Sequence, residues 1–378
     1  MFGTRAPGTL CAVLTISSLV WPGCYWFDGD DDDGSTTFDD GAENPYEEDR
    51  ADYETLAAEL DTRRETFLGE IADEHRAMGA RLYWLEFAAW DPTLSSYDAS
   101  AGARIDYTFS VGTGDDYNFE ASDRLVVTAT PDDGDVVFRA FAAGASQDLL
   151  DELVVPGPTD EQRFWAYAVD GMNVYFVTTG ERTSLYRWTP GGPASLVLTL
   201  EETGAEIGIF TAFAVSNDRM LFTESGRAWS LDLTSKTSTF LGHETEIDGP
   251  ISFDEKGALL PTYDGFFYYD FASSSLVDLA AAIAESGYSI NASFEGAHRY
   301  ESGGILDGDE VIYVGSMGVF AYDLGEGRVR PILIEPIDAD VRIEYRYPAT
   351  TADGSLFVVG LTSESGAVGA DGPVYVVR

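Results

Sequence analysis

The sequence predicts an all-β fold assembled from repeated four-stranded meanders, and two observations predict it. Residues 164 to 200 read FWAYAVDGMNVYFVTTGERTSLYRWTPGGPASLVLTL: four short apolar runs broken by Asp170 and Gly171, then Gly180 and Glu181, then Pro190, Gly191 and Gly192. Inside the runs apolar residues alternate with small or polar ones, the period of a strand, and the residues between them are turn formers. The second observation is recurrence. Runs matching Val174, Tyr175 and Phe176 begin at Leu125, Met220, Ala258, Val311 and Leu356, at intervals of 38 to 53 residues.

A turn signal precedes each run: Ser122 and Asp123, Asp170 and Gly171, Asn217 and Asp218, Glu255 to Gly257, Asp307 and Gly308, Asp353 and Gly354. A second aromatic run follows each, in order DVVFRAF, SLYRWTP, AWSLDLT, FFYYDFA, VFAYDLG and PVYVVR. Repeats of this length, each a four-stranded meander, predict a β-propeller. One blade buries neither face alone, so blades stack around an axis with their aromatics filling the wedges between neighbours. Ala166, Ala168, Ala212 and Ala214 are the small residues that strands crowded at the axis require. By the same logic Trp165, Trp188 and Trp229, each within a strand, belong to packing more than to a carbohydrate platform.

In this repeat the chain resembles the β-propeller superfamily, particularly WD40-like and pyrroloquinoline-quinone-like blades, over about residues 117 to 378. AYDLGEG (321–327) and WSLDLTS (229–235) resemble the turn between third and fourth strands in those blades. No Trp-Asp dipeptide ends a blade, so the resemblance implies an architecture and no subfamily. Six blades are countable, and the last ends after three strands. The resemblance implies closure by a strand from the N-terminal side, for which RIDYTFSV (104–111) is the obvious donor. Residues 81 to 116 hold more than one strand, which leaves a divergent seventh blade as the alternative, within a propeller spanning 81–378.

Ahead of the propeller the chain divides into three parts. Residues 1–23 have Arg5 followed by an apolar run from 10 to 20, too short to span a bilayer, as in an export signal. Gly23 and Cys24 resemble the cleavage site of a bacterial lipoprotein, although Trp21 and Pro22 depart from its pattern. The resemblance implies lipid attachment at Cys24 and a protein anchored outside the cytoplasm to the cell envelope, at the outer membrane. Residues 24–43 include DGDDDDGSTTFDDG, an acidic tether whose spacing fails the calcium-loop pattern, since Asp33 and Asp39 stand where Gly and Glu are required. Residues 44–80 read as an amphipathic helix: Asn44 as N-cap, Pro45, Glu47, apolar positions from Tyr53 to Met78, and Gly79 to close it. Arg63 and Arg64 interrupt its apolar face. Such a helix would cover the propeller or act as an oligomerising arm.

Composition excludes several functions. Lys+Arg 22 against Asp+Glu 66 gives a net charge of -44, with lysine only at 236 and 256. That surface repels nucleic acid and anionic headgroups and is compatible with divalent cations and basic proteins. The two cysteines, Cys11 and Cys24, lie ahead of the domain, and His75, His243 and His298 have no metal-binding spacing, which argues against zinc. Two functions remain. One is a non-catalytic scaffold for a protein, peptide or glycan partner, without a cofactor. The other is a calcium-dependent lactonase- or phosphoesterase-like hydrolase with its metal in the central tunnel, for which Asp264, Asn291, Glu295 and Asp307 are candidates at inner-strand ends.

Overall fold

The computed structural model describes residues 50–71, 75–86, 93–109, 119–132, 135–144, 147–156, 163–179, 183–199, 210–224, 227–241, 251–262, 265–286, 304–315, 318–334, 342–351, 354–364, 367–368 and 372–377. A short helix α1 (Arg50–Asp61) precedes strand β1 (Arg64–Ile71). Seven antiparallel sheets follow, each a blade.

Blade 1 is β2 (His75–Met78), β3 (Arg81–Glu86), β4 (Thr93–Asp98) and β5 (Ala103–Asp106). Blade 2 is β6 (Phe119–Ala121), β7 (Leu125–Asp132), β8 (Asp135–Ala142) and β9 (Leu149–Val155). Blade 3 is β10 (Arg163–Asp170), β11 (Asn173–Thr179), β12 (Ser184–Trp188) and β13 (Ser195–Thr199). Blade 4 is β14 (Phe210–Ser216), β15 (Arg219–Glu224), β16 (Arg227–Asp232) and β17 (Thr237–Phe240). Blade 5 is β18 (Ser252–Phe253), β19 (Gly257–Thr262), β20 (Gly265–Asp270) and β21 (Ser275–Asp278), with helix α2 (Leu279–Glu285) after it. Blade 6 is β22 (Gly304–Asp307), β23 (Glu310–Gly315), β24 (Gly318–Asp323) and β25 (Arg328–Ile334). Blade 7 is β26 (Arg342–Thr350), β27 (Leu356–Glu364) and β29 (Gly372–Val377), with β28 (Ala367–Val368) pairing on β27, and β1 as its fourth strand.

The strand alternation divides each blade between two seams. In β11, Val174 and Phe176 pack towards blade 2 while Tyr175 and Val177 pack towards blade 4. In blade 6, Val311 and Tyr313 face blade 5, and Ile312 and Val314 face blade 7. Repeated around the ring, this yields seven apolar clusters, one per seam, including Leu82, Trp84, Phe357 and Val376 where blade 1 meets blade 7. The first strand of each meander lies at the axis, as shown by β10 beside β14 and β18 beside β22. Ala168, on β10, is buried there. Trp188 is a core residue of the seam between blades 2 and 3, and Trp229 packs against the next seam, beside Phe240. The Trp165 side chain lies outside the described residues.

The structure settles the blade count at seven. The additional blade is divided across residues 75–106, and its first strand, HRAM, carries too little apolar alternation to announce itself. Closure is by a different donor from the one expected. RIDYTFSV supplies β5, the outer strand of blade 1, where Ile105 pairs with Ser96. PVYVVR is instead paired by β1, from Arg64 opposite Val377 to Ile71 opposite Gly372, with a register shift between Phe67 and Glu70.

The long helix expected over 44–80 is accordingly replaced. Among its described residues, only 50–61 are helical; Thr62 and Arg63 donate backbone bonds to Glu59 and Leu60 and end the helix, and 64–71 and 75–78 are strands. The physical reason is non-local. The third strand of blade 7 has an edge whose backbone groups need partners. The segment RETFLGEI has a β-branched Thr66 and a helix-weakening Gly69, so it gives up little by pairing there. Gly79, expected to cap the helix, takes φ +58° in the turn between β2 and β3. Helix α1 buries Ala57 and Leu60 and lies against β25. The expected helix start at Asn44, the tether and the signal segment lie outside the described residues.

Deleting residues 64–71 should cost several kcal/mol, at ~1 kcal/mol for each lost ladder hydrogen bond plus the exposed edge of β29. The expected result is a melting temperature many degrees lower and a loss of cooperativity. An unchanged melt would mean that the ring does not depend on this strand.

Candidate binding rim and the seam beneath it

An antiparallel meander places its first and third turns at one end of the blade, so each rim of the ring is built from one class of turn. On the described rim the first-to-second-strand turns are contributed in order by residues 79–80, 122–124, 171–172, 217–218, 254–256 and 308–309. They are joined from blade to blade. Ser122 Oγ donates to the Gly171 carbonyl at 2.7 Å, tying blade 2 to blade 3. Asp170 accepts from the Asn217 backbone N–H, tying blade 3 to blade 4. The Arg219 guanidinium lies 4.0 Å from the Phe271 ring centroid, and Lys256 pairs with Asp309 across blades 5 and 6.

The third-to-fourth-strand turns on the same rim use carboxylates to cap backbone donors. Asp232 Oδ1 accepts from the N–H groups of Thr234 and Ser235, Asp323 Oδ1 from those of Gly325 and Glu326, and Asp270 Oδ1 from that of Ser273. Asp98 does the same for Ala101 in blade 1. These are the turns singled out in AYDLGEG and WSLDLTS, and their Asp residues are there to satisfy the chain. Hydrogen bonds from Ser235 hold Asp232 below the usual carboxylate range, those from Ser273 do so for Asp270, and Ser100 leads the set that lowers Asp98.

Other rim carboxylates are shifted the opposite way. Burial raises Asp170, and Asp218 and Asp123 add to it against the Asn217 N–H. Burial also raises Asp307, with Glu310 adding and Arg330 opposing. Asp123 and Asp218 themselves are exposed. The rim is therefore an acidic surface in which some carboxylates are used structurally and others face solvent.

Below the rim, the seam between blades 1 and 2 contains polar groups. Arg81 Nη2 pairs with Asp98 Oδ2 at 3.1 Å, and its Nη1 is buried without a hydrogen-bond partner. The Tyr107 hydroxyl lies 3.2 Å from Ser96 Oγ and accepts from the Gly144 N–H at 3.3 Å. Burial, and after it Tyr107, pushes the neighbouring Tyr83 phenol well above its ordinary value. Gln147 closes the same seam at the surface: its Oε1 accepts from the Thr108 N–H and hydroxyl, and its Nε2 donates to the Asp106 carbonyl. This arrangement was not anticipated. Its members are far apart in sequence, and a positive φ of 51° at Gln147 has no signature there.

Of the calcium candidates, Asp264, Asn291 and Glu295 lie outside the described residues, as does Cys24. Asp307 is the last residue of the innermost strand of blade 6, an inner-strand end as expected, with Glu310 and Arg330 around it. Among the described residues no group of three or more His, Cys, Asp or Glu side chains is placed to hold a metal ion. No helix among them is long and apolar enough to cross a membrane.

The opposed shifts give opposed stability signs. Asp232, depressed when folded, contributes stability above its unfolded value that is lost as pH falls through the folded one; Asp170, raised when folded, imposes a penalty that grows as pH rises past 3.8. Asp232→Ala should therefore lower the melting temperature at pH 7, and Asp170→Asn, which keeps an acceptor for Asn217, should raise it. Both differences should shrink as the pH is brought to about 3. Melts at pH 7 and pH 3 that differ equally from the native protein would contradict the electrostatic origin.

No family model and no curated protein matches the chain. Among solved structures, 758 chains are similar to it. One, from a nidogen/laminin complex, has a TM-score of 0.38 at 11% identity, over 56% of this chain and 78% of that one. Another, from a study of two prolyl endopeptidases, has a TM-score of 0.44 at 12% identity, over 78% of this chain and 47% of that one, so the chain spans about half of its length. The β-propeller architecture itself rests on the seven sheets and their pairing.

Proposed function

We propose that the protein is a non-catalytic binding scaffold, held in the bacterial cell envelope through a lipid at Cys24, whose acidic rim engages a partner outside the cytoplasm. The observation that carries this reading is the run of hairpin turns joined from blade 2 to blade 6. Turns along this run are held by a neighbour or by a capping carboxylate, so the surface is preorganised and little conformational entropy is lost when a partner docks. Asp123, Asp170 and Asp218, none of which caps its own turn as Asp232 does, sit on three consecutive blades. A basic protein or peptide fits this charge better than a neutral glycan does.

The test compares two triple substitutions of equal charge. D123N/D170N/D218N removes rim carboxylates, and E54Q/D61N/D132N removes three elsewhere. Binding of an arginine-rich peptide, followed calorimetrically, should weaken by roughly tenfold in the rim variant and by less than about twofold in the control. Equal weakening would mean that the peptide reads net charge alone, and the rim reading would fall. The calcium-hydrolase alternative is separated by a thermal melt with calcium and with magnesium at equal ionic strength. The scaffold reading expects similar, unsaturable shifts from both ions, and a calcium-selective saturable shift would reverse the preference.

A further inference from the structure

Outer strands of a propeller are sheet edges, and an edge is a template for pairing unless something blunts it. Most of the outer strands here are blunted. Strand β5 has four residues, with exposed Arg104 and Asp106; β17 is the short polar run TSTF. Strand β21 runs directly into α2. Strand β25 carries exposed Arg328 and Arg330 together with Pro331, and α1 lies against it.

Strand β9 carries acidic residues but lacks the basic residues, the proline, the shortness and the adjoining helix of these strands. It is seven residues long, LLDELVV, without Pro, Lys or Arg. Five large apolar side chains stand exposed among the described residues, and three are on this strand: Leu149 at 54%, Leu150 at 43% and Val154 at 50%. Its register explains them. Leu153 and Val155 face the seam with blade 3, and Asp151 reaches across it to accept from the Gly191 N–H at 2.7 Å. Val154, opposite Val137, and Leu149, opposite Phe141, face the other way, towards blade 1. There the outer strand β5 is only four residues long, and the next apolar group is the stacked pair Phe109 and Phe141, 3.7 Å between centroids. The result is an open edge with an aliphatic stripe beside an aromatic pair.

We infer that β9 is a β-augmentation site that takes an extended segment of a partner protein as a fifth strand of blade 2, the segment alternating aliphatic with basic side chains. Main-chain bonds to the β9 edge supply affinity, and the stripe of Leu149 and Val154 receives the partner's aliphatic residues. Charge selects the rest. The edge carries exposed Asp148 and Glu152, the latter already paired with Arg139 at 2.8 Å, on a protein of net charge -44. A second copy of this chain is disfavoured by the same charge, whereas a basic segment is drawn in. This inference rests on the scaffold reading and gives the partner's chemistry at a second surface, away from the rim.

The test uses the full chain and a peptide alternating lysine and valine over about nine residues, with a second version methylated on alternate backbone nitrogens. Charge and side chains are the same in both, and only the first can pair as a strand. The expected outcome is binding of the first peptide with slowed amide exchange in β9, at least roughly tenfold weaker binding of the methylated one, and a similar loss in L149T/V154T. Melting of L149T/V154T at the native temperature would establish that it is folded, and the single variant L149T serves if it is not. The rim variant D123N/D170N/D218N should bind the peptide as the native protein does. Equal binding of both peptides, or undiminished binding by the edge variants, overturns the inference while leaving the rim reading intact. Loss in the rim variant alone overturns it in favour of the rim, and no binding of the unmethylated peptide overturns it outright.

Discussion

The pairing of β1 with β29 is the constraint on which the rest depends. Blade 7 is otherwise three main strands from the C-terminal end of the chain, and its outer position is filled from a segment some three hundred residues earlier. Closing a loop of that size carries an entropic cost that grows only slowly with length, so the ladder and the burial behind it can offset it. Once it is closed, every blade has two neighbours. The alternating side chains of each strand then have a seam on either side, and the seven apolar clusters form a continuous ring with no terminal face to cap.

Within that ring the charge is handled locally. A surface of net charge -44 repels itself, and the fold reduces the cost by engaging carboxylates with its own backbone. Asp98, Asp232, Asp270 and Asp323 each satisfy turn N–H groups that would otherwise need water. The negative charges of Asp98, Asp232 and Asp270 are stabilised where they sit. Asp170 and Asp307 are not so favoured, since burial and neighbouring acids outweigh the single backbone donor or the arginine nearby. Carboxylates of the second kind hold unfavourable energy that a cationic partner of the kind proposed would relieve, which would link the stability of the rim to binding there.

What the sequence made legible follows from how local each feature is. The hairpins at Asp170 and Gly171, Asn217 and Asp218, and Asp307 and Gly308 were readable because a turn is decided by two or three adjacent residues with left-handed or capping conformations; Asn217 and Asp218 both take positive φ. The core role of Trp188 was readable from its place in an alternating strand. Blade 1 and the closing strand were not. HRAM and RETFLGEI contain spacings that fit a helix as well as a strand; RETFLGEI is decided by the edge of β29, far away in sequence, and HRAM by its pairing with β3 in a blade that has no clear repeat signal of its own. The same non-locality hid the seam of Arg81, Asp98, Tyr107 and Gly144. Asp307 was placed correctly at an inner-strand end, but its neighbours Glu310 and Arg330 come from β23 and β25 of its own blade, so its surroundings are set by cross-strand register.

The outer edges are where closure gives no protection. A ring abolishes the faces of its blades as free surfaces but leaves one open ladder per blade, and this chain blunts several of them by unrelated means: short polar strands, a proline with arginines, and adjoining helices. Independent devices at separate blades imply that an open edge is costly here. Against that background the bare, aliphatic β9 stands apart. Converting one exposed leucine to lysine would be enough to blunt it, and lysine is a residue the chain uses only twice, one copy of which joins two blades through Asp309. A long aliphatic edge without a basic residue or a proline has the form expected of a place where a strand from elsewhere completes the sheet.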